Sequence, residues 1–309
     1  MTTVIIEENY SPGAVRLYKK LGPVYSGKKY LKKADILVVR LAVNVDKKII
    51  DFAPNLKVIA TSTTGLNHID MDYAKKKGVK VISLRGRTGF LKNIPSTAEE
   101  TMALTLALLR KLPWAFDYVK SGGWDSTAWS GHQLHKKTLG LMGFGRLGKI
   151  VAKYAKSFGM NVIVCDPHIP KKVMDTRGVK KVDMTTLFKA SDILSLHVLL
   201  TPETHPLVNE KHLKMMKPSA YLINTARAEL IEKGAIYKAL KNKWISGVAI
   251  DVMWDERPDG GHLKKDPLWK YAKTGKNLII LPHIGGATIE AMHTTQEFIA
   301  ELVLKYFQR

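Results

Sequence analysis

The first third of the chain alternates short apolar runs with amphipathic stretches. The runs VII, DILVVR, LKVIATS and VKVIS are rich in β-branched residues and predict strands, and the stretches near residues 12–20, 45–52 and 70–77 predict helices. Strands that alternate with helices are typical of a parallel sheet covered on both faces. We therefore expect one open α/β unit up to about residue 95.

A second series of strands and helices begins at KTLGLMGFGRLG. It continues through the apolar runs NVIVCD, ILSLH, AYLINTA, ISGVAID and NLIILPH, which helical stretches separate. This pattern predicts a second, complete doubly wound parallel sheet. Between the two series, STAEETMALTLALLRKL predicts one buried helix capped by Ser96 or Thr97, and residues 288–307 predict a final helix.

Composition narrows the class of protein. The 309 residues contain one cysteine, Cys165, which excludes an internal disulfide and any cysteine-cluster metal site and fits a reducing compartment. No apolar run approaches the roughly 20 residues of a membrane helix, and the N-terminus does not look like a secretory signal. We expect a cytoplasmic protein that does not enter a membrane. The histidines and acidic residues show no metal-ligand spacing, so we expect no metal site.

The charge balance is strongly basic, with 49 Lys and Arg against 27 Asp and Glu, a formal net charge of +22. The lysines are scattered as pairs and do not alternate with aromatic residues, which disfavours a nucleic-acid surface. The pattern instead favours a lysine-rich surface that aids solubility and attracts small anionic molecules.

A nucleotide site is indicated by the stretch LGLMGFGRLGKIVAKYAKSFGMNVIVCD. Gly143, Gly145 and Gly148 form G-x-G-x-x-G between a strand and a helix, which allows a tight turn, close approach of a pyrophosphate and close helix packing. Asp166 ends the next strand at the position where an acid binds the ribose hydroxyls and repels a 2′-phosphate. The pattern predicts NAD rather than NADP, although Lys171 and Lys172 lie nearby.

Chemically useful side chains follow three later strands. Arg227 follows AYLINTA, Asp251 and Glu256 follow ISGVAI, and His283 follows NLIILP. In open α/β sheets, ligands bind at the carboxyl ends of strands. A cation, a proton donor and an acid beside that donor are what hydride transfer to a 2-oxo acid requires.

The sequence resembles the D-isomer-specific 2-hydroxyacid dehydrogenase family over essentially its whole length. The matching pieces are TSTTGLNHID, STAEETMALTLALLR, GFGRLG with Asp166, TPETHPLVN, MKPSAYLINTAR, GVAIDV and LPHIGG. The resemblance implies a flavodoxin-like substrate domain of residues 1–96 plus 287–309 and a Rossmann NAD-binding domain of residues 97–286. It also implies a homodimer, formed through the helix at 97–110 and the GGWDSTAW loop.

The resemblance also assigns roles to residues. Arg227, Glu256 and His283 correspond to the catalytic triad, with Arg227 holding the substrate carboxylate, His283 as the acid and base, and Glu256 orienting the histidine. The substrate-binding residues would be Arg40, Ser62, Thr63, Thr64, Gly65 and Arg227. The cofactor-binding residues would be Thr64, Gly143, Gly145, Arg146, Leu147, Gly148, Asp166, His197, Val198, Thr225, Ala226, Asp251, Gly285 and Gly286.

The sequence is compatible with more than one substrate. DILVVRLAVNVD resembles the segment of D-3-phosphoglycerate dehydrogenases that carries a phosphate-binding arginine, here Arg40, but a second arginine of some of those enzymes is absent near Thr61. The leading expectation is 3-phosphoglycerate and 3-phosphohydroxypyruvate, in a short member without a regulatory domain. The alternatives are a glyoxylate/hydroxypyruvate reductase and, from another class, an NAD-sensing corepressor-like binding protein.

Four local features depart from the family pattern. Glu256 is followed by Arg257 before Pro258, Leu199 stands where proline is common, Ala228 stands where glycine is common, and the basic segment 258–276 is longer than usual. We expect the last of these to reshape the edge of the cleft.

Overall fold

A computed structural model describes residues 1–6, 10–257 and 259–308. The chain divides into two compact units, one of Met1–Ile94 with Ala287–Arg309 and the other of Pro95–Gly286. Both contain parallel sheets covered by helices, so the predicted α/β fold class is confirmed.

The first unit contains a five-stranded parallel sheet in the order β2-β1-β3-β4-β5, the doubly wound order of flavodoxin-like folds. Its strands are β1 Thr3–Ile5, β2 Val24–Ser26, β3 Ile36–Val39, β4 Val58–Thr61 and β5 Lys80–Ser83. Along β3, Leu37 and Val39 join one apolar cluster and Ile36 and Val38 join another. The sheet is therefore buried on both faces, which explains why β3 is apolar at every position.

The second unit contains a seven-stranded parallel sheet in the order β12-β11-β10-β9-β6-β7-β8, the Rossmann arrangement with one further strand. Its strands are β6 Thr138–Met142, β7 Asn161–Cys165, β8 Lys180–Lys181, β9 Ile193–Leu196, β10 Tyr221–Asn224, β11 Gly247–Ile250 and β12 Leu278–Ile280. The strand order reverses at β6 and β9, which is where a doubly wound sheet forms its ligand-binding crevice.

Helices connect these strands. In the first unit they are α1 Pro12–Lys19, α2 Lys47–Phe52, α3 Met71–Lys76 and α4 Thr88–Leu91. In the second unit they are α5 Ser96–Leu109, α6 Leu112–Lys120, α7 Arg146–Ser157, α8 Lys171–Asp175, α9 Met184–Ala190, α10 Glu210–Met215, α11 Ala235–Lys241 and α12 Pro267–Ala272. The last helix, α13 Ile289–Phe307, belongs to the first unit and packs against α1. Among the described residues, no helix is long and apolar enough to cross a membrane.

The segment 96–112 differs from its sequence-based expectation in two ways. It is not one helix, because Lys111 adopts a left-handed conformation (φ 54°) and α6 starts at Leu112. Pro113 explains the break, since a proline ring inside a continuous helix would clash with the carbonyl four residues earlier. Ser96 and Thr97 also do not cap α5, which begins with Pro95 in the capping position and no side-chain cap.

Candidate functional site

The glycine-rich turn after β6 contains three glycines with different requirements. Gly143 has φ 95°, and a Cβ there would lie 2.6 Å from the carbonyl oxygen of His197. A Cβ at Gly148 would lie 2.4 Å from the carbonyl oxygen of Gly143, so the first turn of α7 packs directly on the loop. A Cβ at Gly145 would meet nothing within 4 Å. The first and third glycines therefore serve packing, while the second leaves open space at the start of α7.

Helix α7 begins at Arg146, directly after this open space, and Leu147 follows in its first turn. Asp166, just beyond β7, accepts a hydrogen bond from the Phe144 N–H at 2.8 Å and another from the His168 N–H at 2.9 Å. These bonds fix the carboxylate beside the loop, and each oxygen keeps a lone pair for a further donor. A pyrophosphate at the N-terminus of α7 and a ribose at Asp166 suit this geometry.

The segment after β9 lies against the glycine loop. His197 donates its backbone N–H to the carbonyl oxygen of Met142 at 2.7 Å, and its Nε2 lies 2.9 Å from the Ser195 hydroxyl. Burial lowers the pKa of His197 to about 4, so its ring is neutral at pH 7. Val198 in this segment is half-buried, whereas the next residue, Leu199, is 76% exposed.

The turn after β10 holds Arg227. The amide of Asn224 brackets this turn, because its nitrogen donates to the Arg227 carbonyl at 2.8 Å and its oxygen accepts from the Ala226 N–H at 3.0 Å. Burial lowers the pKa of Arg227, while the charges of Glu229, Glu256 and Asp251 raise it, and the guanidinium remains a cation at neutral pH. Ala228 has no positive φ, so the missing glycine does not strain the turn.

Glu256 and His283 meet at the neighbouring strand ends. Nδ1 of His283 lies 2.6 Å from Oε2 of Glu256, and Oε1 of Glu256 accepts the Met253 N–H at 2.8 Å. Burial would raise the pKa of Glu256, but the hydrogen bond from His283 and the charges of His283 and Arg227 outweigh it, so this pKa lies below its ordinary value. Glu256 is thus an ionised hydrogen-bond acceptor that fixes the orientation of the His283 ring. Arg257 follows it in the chain, and the next residue, Pro258, lies outside the described residues.

The backbone at His283 is in the left-handed region, with φ 58°. Histidine tolerates this conformation better than most side chains, but it still costs free energy, and such residues cluster at active sites. The side chain is 23% exposed, and its Nε2 is left for another partner.

Asp251 holds the backbone after His283. It is 1% exposed and directly follows β11, and its two oxygens accept hydrogen bonds from the N–H groups of Ile284 at 2.7 Å and Gly285 at 2.8 Å. A Cβ at Gly286 would meet nothing within 4 Å, whereas one at Gly285 would lie 2.5 Å from Glu100.

Sequence reasoning missed three residues of α5. Thr97 donates to the Gly285 carbonyl at 3.0 Å, and the Thr101 hydroxyl lies 2.9 Å from that of Thr225 after β10. Glu100 lies on the same helix face and approaches Asp251. Polar residues at spacings of three and four in an otherwise apolar buried helix are the signal that could have identified them.

In the first unit, two loops carry the expected substrate-binding residues. Arg40 directly follows β3, and Ser62, Thr63, Thr64 and Gly65 directly follow β4. Because these parallel strands are neighbours, both loops lie at the same edge of the five-stranded sheet. The Thr63 hydroxyl donates to the Gly65 carbonyl at 2.8 Å and lies 3.0 Å from that of Thr61, which fixes the loop.

The basic segment before β12 is ordered into two short helical pieces, a 3₁₀ turn at Leu263–Lys265 and helix α12. Within the described ranges, no cluster of three or more histidine, cysteine or acidic residues could hold a metal ion. Cys165 is half-buried at the end of β7, and burial raises the pKa of its thiol.

Comparison with known proteins gives a consistent result. The model of the D-isomer specific 2-hydroxyacid dehydrogenase NAD-binding domain matches residues 102–285. D-3-phosphoglycerate dehydrogenase of Methanocaldococcus jannaschii is 36% identical over 314 residues, which cover 99% of this chain and 57% of that protein. Glyoxylate reductase of Thermococcus litoralis is 39% identical over 282 residues, which cover 89% of this chain and 80% of that protein. The chain thus spans little more than half the length of the first relative.

Among solved structures, D-lactate dehydrogenase of Aquifex aeolicus in complex with NAD and lactic acid has a TM-score of 0.82 and 30% identity. The match covers 100% of this chain and 96% of that one.

Proposed function

Because the chain belongs to the D-isomer specific 2-hydroxyacid dehydrogenase family, we propose that it interconverts a D-2-hydroxy acid and its 2-oxo acid, with NAD as the hydride carrier. The observation that carries this proposal is the 2.6 Å contact between Glu256 and His283. This contact lies at the carboxyl ends of β11 and β12 in the second-unit sheet, and Arg227 follows β10, the strand next to β11.

The residues of the second unit suit NAD. Gly145 leaves space for a pyrophosphate at the start of α7, and Asp166 would accept the ribose hydroxyls and repel a 2′-phosphate. The remaining residues of this unit that are proposed to line the cofactor site are Gly143, Arg146, Leu147, Gly148, His197, Val198, Thr225, Ala226, Asp251, Gly285 and Gly286. When bound as NADH, the cofactor supplies a hydride to the carbonyl carbon of the oxo acid.

His283 acts as the proton donor in reduction. Its imidazolium gives the Nε2 proton to the carbonyl oxygen as that oxygen gains charge, and it recovers a proton from solvent afterwards. Glu256 keeps the ring oriented by accepting the Nδ1 hydrogen bond and stabilises the charged ring. Arg227 holds the substrate carboxylate through a two-pronged, charge-assisted hydrogen bond and polarises the carbonyl.

For the substrate, we propose 3-phosphohydroxypyruvate and 3-phosphoglycerate, with glyoxylate and hydroxypyruvate as the alternative. Arg40 and the Ser62–Gly65 loop share one sheet edge, which would let the arginine take the phosphate while the loop's N–H groups take the carboxylate. The net charge of +22 supports a substrate that carries two anionic groups, a carboxylate and a phosphate. Relatives named for both activities match this chain.

The test is NADH oxidation by the purified protein with 3-phosphohydroxypyruvate, hydroxypyruvate, glyoxylate, pyruvate and 2-oxoglutarate, with NADPH in parallel. We expect the highest kcat/KM with 3-phosphohydroxypyruvate and NADH. Preference for an unphosphorylated acid would retain the reaction and reject the substrate. Binding of NADH without turnover of any of these acids would favour the NAD-sensing binding protein.

We also propose a homodimer that works in the cytoplasm. Helix α6 presents Leu112, Phe116 and Val119 on one face with exposed fractions of 50%, 67% and 49%, and Trp124 beyond it is 89% exposed. Apolar side chains grouped in this way are typical of a protein interface. The single thiol of Cys165 fits a reducing compartment.

A further inference from the structure

Helix α5 contacts each of the three segments that carry the proposed nicotinamide and substrate chemistry. Thr97 is hydrogen-bonded to the loop after β12, and Thr101 is hydrogen-bonded to the turn after β10. Glu100 lies beside Asp251, which follows β11. The helix therefore braces the backbone on which Arg227 and His283 stand.

The carboxyl of Glu100 stands out among these contacts. Both of its oxygens are buried, and among the described residues neither has a hydrogen-bond partner. The carboxyl of Asp251 lies beside it, because a Cβ at Gly285 would be 2.5 Å from Oε2 of Glu100 and 3.1 Å from Oδ2 of Asp251. Two buried carboxylates so close together would repel each other, whereas one proton between them would supply the missing hydrogen bond.

The surroundings indicate which group carries the proton. Burial raises the pKa of Glu100 to about 8, and the charge of Asp251 contributes to that shift. Burial also raises the pKa of Asp251, but the N–H groups of Ile284 and Gly285 and the charge of His283 oppose the shift. Asp251 is therefore the ionised acceptor and Glu100 the protonated donor.

We propose that Glu100 is a positioning residue that acts in its protonated form, donating a hydrogen bond that holds Asp251 against the backbone of the loop bearing His283. The proposal rests on the proposed function and adds a regulatory property to it. Loss of this proton leaves two adjacent negative charges, and their repulsion displaces Asp251 from the Ile284 and Gly285 amides. The loop that bears His283 and lines the proposed nicotinamide site is then held less firmly.

The other ionisable groups on elements that pack against α5 do not replace this partnership. In the described part of the chain, Asp251 is the group whose charge shifts the Glu100 pKa. The remaining candidates on or just beyond those elements are Arg227, Glu256 and His283 after the strands, Tyr221 at the start of β10, Arg146, Lys149, Lys153, Tyr154 and Lys156 of α7, and Asp117, Tyr118 and Lys120 of α6.

The sign of the stability effect follows from the raised pKa. Between the ordinary carboxyl value and about 8, the folded protein holds a proton that the unfolded chain has released, so this contribution to stability falls as pH rises through that window. Below this window, the Glu100 carboxyl makes its full contribution to the free energy of unfolding. Above the window that contribution has been lost and no longer changes with pH. The Glu100→Gln variant cannot lose its donor, so it should gain stability relative to wild type as pH rises and then level off.

The experiment uses the cofactor-free protein as well as the NADH complex. Thermal unfolding and NADH affinity by fluorescence are measured from about pH 5 to about pH 9.5 for wild type, Glu100→Gln, Glu100→Leu and Glu99→Gln. Glu99 is the matched control, since it is the adjacent carboxylate on α5 and is exposed. We expect NADH affinity of wild type to fall at least about threefold between pH 7 and pH 9, that of Glu100→Gln to stay constant, and Glu99→Gln to follow wild type.

The remaining outcomes also decide the question. Glu100→Leu should bind NADH more weakly than wild type at pH 7 and lose the pH dependence, and wild-type affinity at pH 7 in that variant would overturn the proposal. A Glu100→Gln variant that tracks wild type across the range would overturn it as well. If Glu100→Gln does not fold, infrared spectroscopy of wild type decides, because a protonated carboxyl band must vanish near pH 8.

Failure of this inference is distinguishable from failure of the proposed function. The unfolding measurements need no turnover, so the expected stability pattern in a protein that reduces no oxo acid would reject the function alone. Turnover without the pattern would reject the role of Glu100 alone.

Discussion

The imidazole of His283 and the carboxylate of Glu256 meet across 2.6 Å, although 27 residues separate them in the chain. Two backbone features bring them together. Glu256 accepts a hydrogen bond from the Met253 N–H, and His283 takes a left-handed conformation three residues after the end of β12. The left-handed backbone conformation of His283 costs free energy of folding, so stability alone does not explain it. The contact of Nδ1 with the Glu256 carboxylate leaves Nε2 for a substrate oxygen.

Replacing Glu256 with Gln tests this pair. The amide retains a polar contact but loses the charge that stabilises the protonated ring, so kcat for oxo-acid reduction should fall about 100-fold while NADH affinity stays within about twofold. Asp255→Asn is the matched control, because Asp255 is an exposed neighbour with φ 56°, a conformation that asparagine tolerates. Equal losses in the two variants would refute a special role for Glu256.

The Arg227→Lys variant tests the substrate fork. Lysine keeps the charge but cannot make two parallel hydrogen bonds, so kcat/KM should fall at least about 100-fold, with NADH affinity unchanged. Arg257→Lys is the control, since Arg257 is 62% exposed and pairs with Asp259 at the surface. Steady-state kinetics with NADH saturating separate the two outcomes, and a variant that retains wild-type kcat/KM would remove Arg227 from the site.

The glycines of the nucleotide loop allow binding to be separated from folding. Gly145→Ala adds a methyl group into open space at an ordinary φ of −72°, so the melting temperature should not change, while NADH affinity should fall at least about tenfold. Gly143→Ala should instead destabilise the fold, because φ 95° and the His197 carbonyl both oppose a Cβ. Unchanged NADH affinity in Gly145→Ala would place the pyrophosphate elsewhere.

The sequence predicted the sheets better at their centres than at their edges. Buried central strands such as β3 and β11 are continuous apolar runs, which periodicity detects. The missed strands β2 and β8 lie at sheet edges, are three and two residues long, and β8 consists of Lys180 and Lys181. Short edge strands avoid edge-to-edge association, as do charged ones such as β8, and the same properties remove the pattern that would reveal them.

The residues at strand ends in the candidate site were predictable from the sequence, whereas the contact made by Glu100 was not. Strand ends followed by Arg227, Asp251 and His283 are visible in the sequence, because one rule places ligands at the carboxyl edge of the sheet. The bracing by Glu100 was not visible, since its partner Asp251 lies far along the chain and only the packing of α5 on β11 brings them together. Long-range contacts of this kind leave no local spacing to read.

The choice of substrate can be tested at Arg40. Arg40→Gln should lower kcat/KM for 3-phosphohydroxypyruvate about 10- to 100-fold, the value of a charged hydrogen bond, and leave glyoxylate reduction unchanged. Arg16→Gln is the control, because Arg16 is an exposed arginine of the same unit. Equal losses with both acids would indicate a structural role for Arg40, and no loss with either would reject it as the phosphate ligand.

The apolar face of α6 makes the final prediction. Phe116 is the most exposed of the three apolar side chains on this face. In any dimer formed through the face, a charge at this position would be buried without a partner, which costs free energy. Phe116→Glu should therefore yield a monomer, with an unchanged melting transition in dilute solution. Phe158→Glu is the control, because Phe158 is also exposed, at 44%, but lies at the end of α7. Light scattering at micromolar concentration decides between them. A dimer that survives Phe116→Glu would exclude this face as the interface, and a wild-type monomer would exclude the dimer itself.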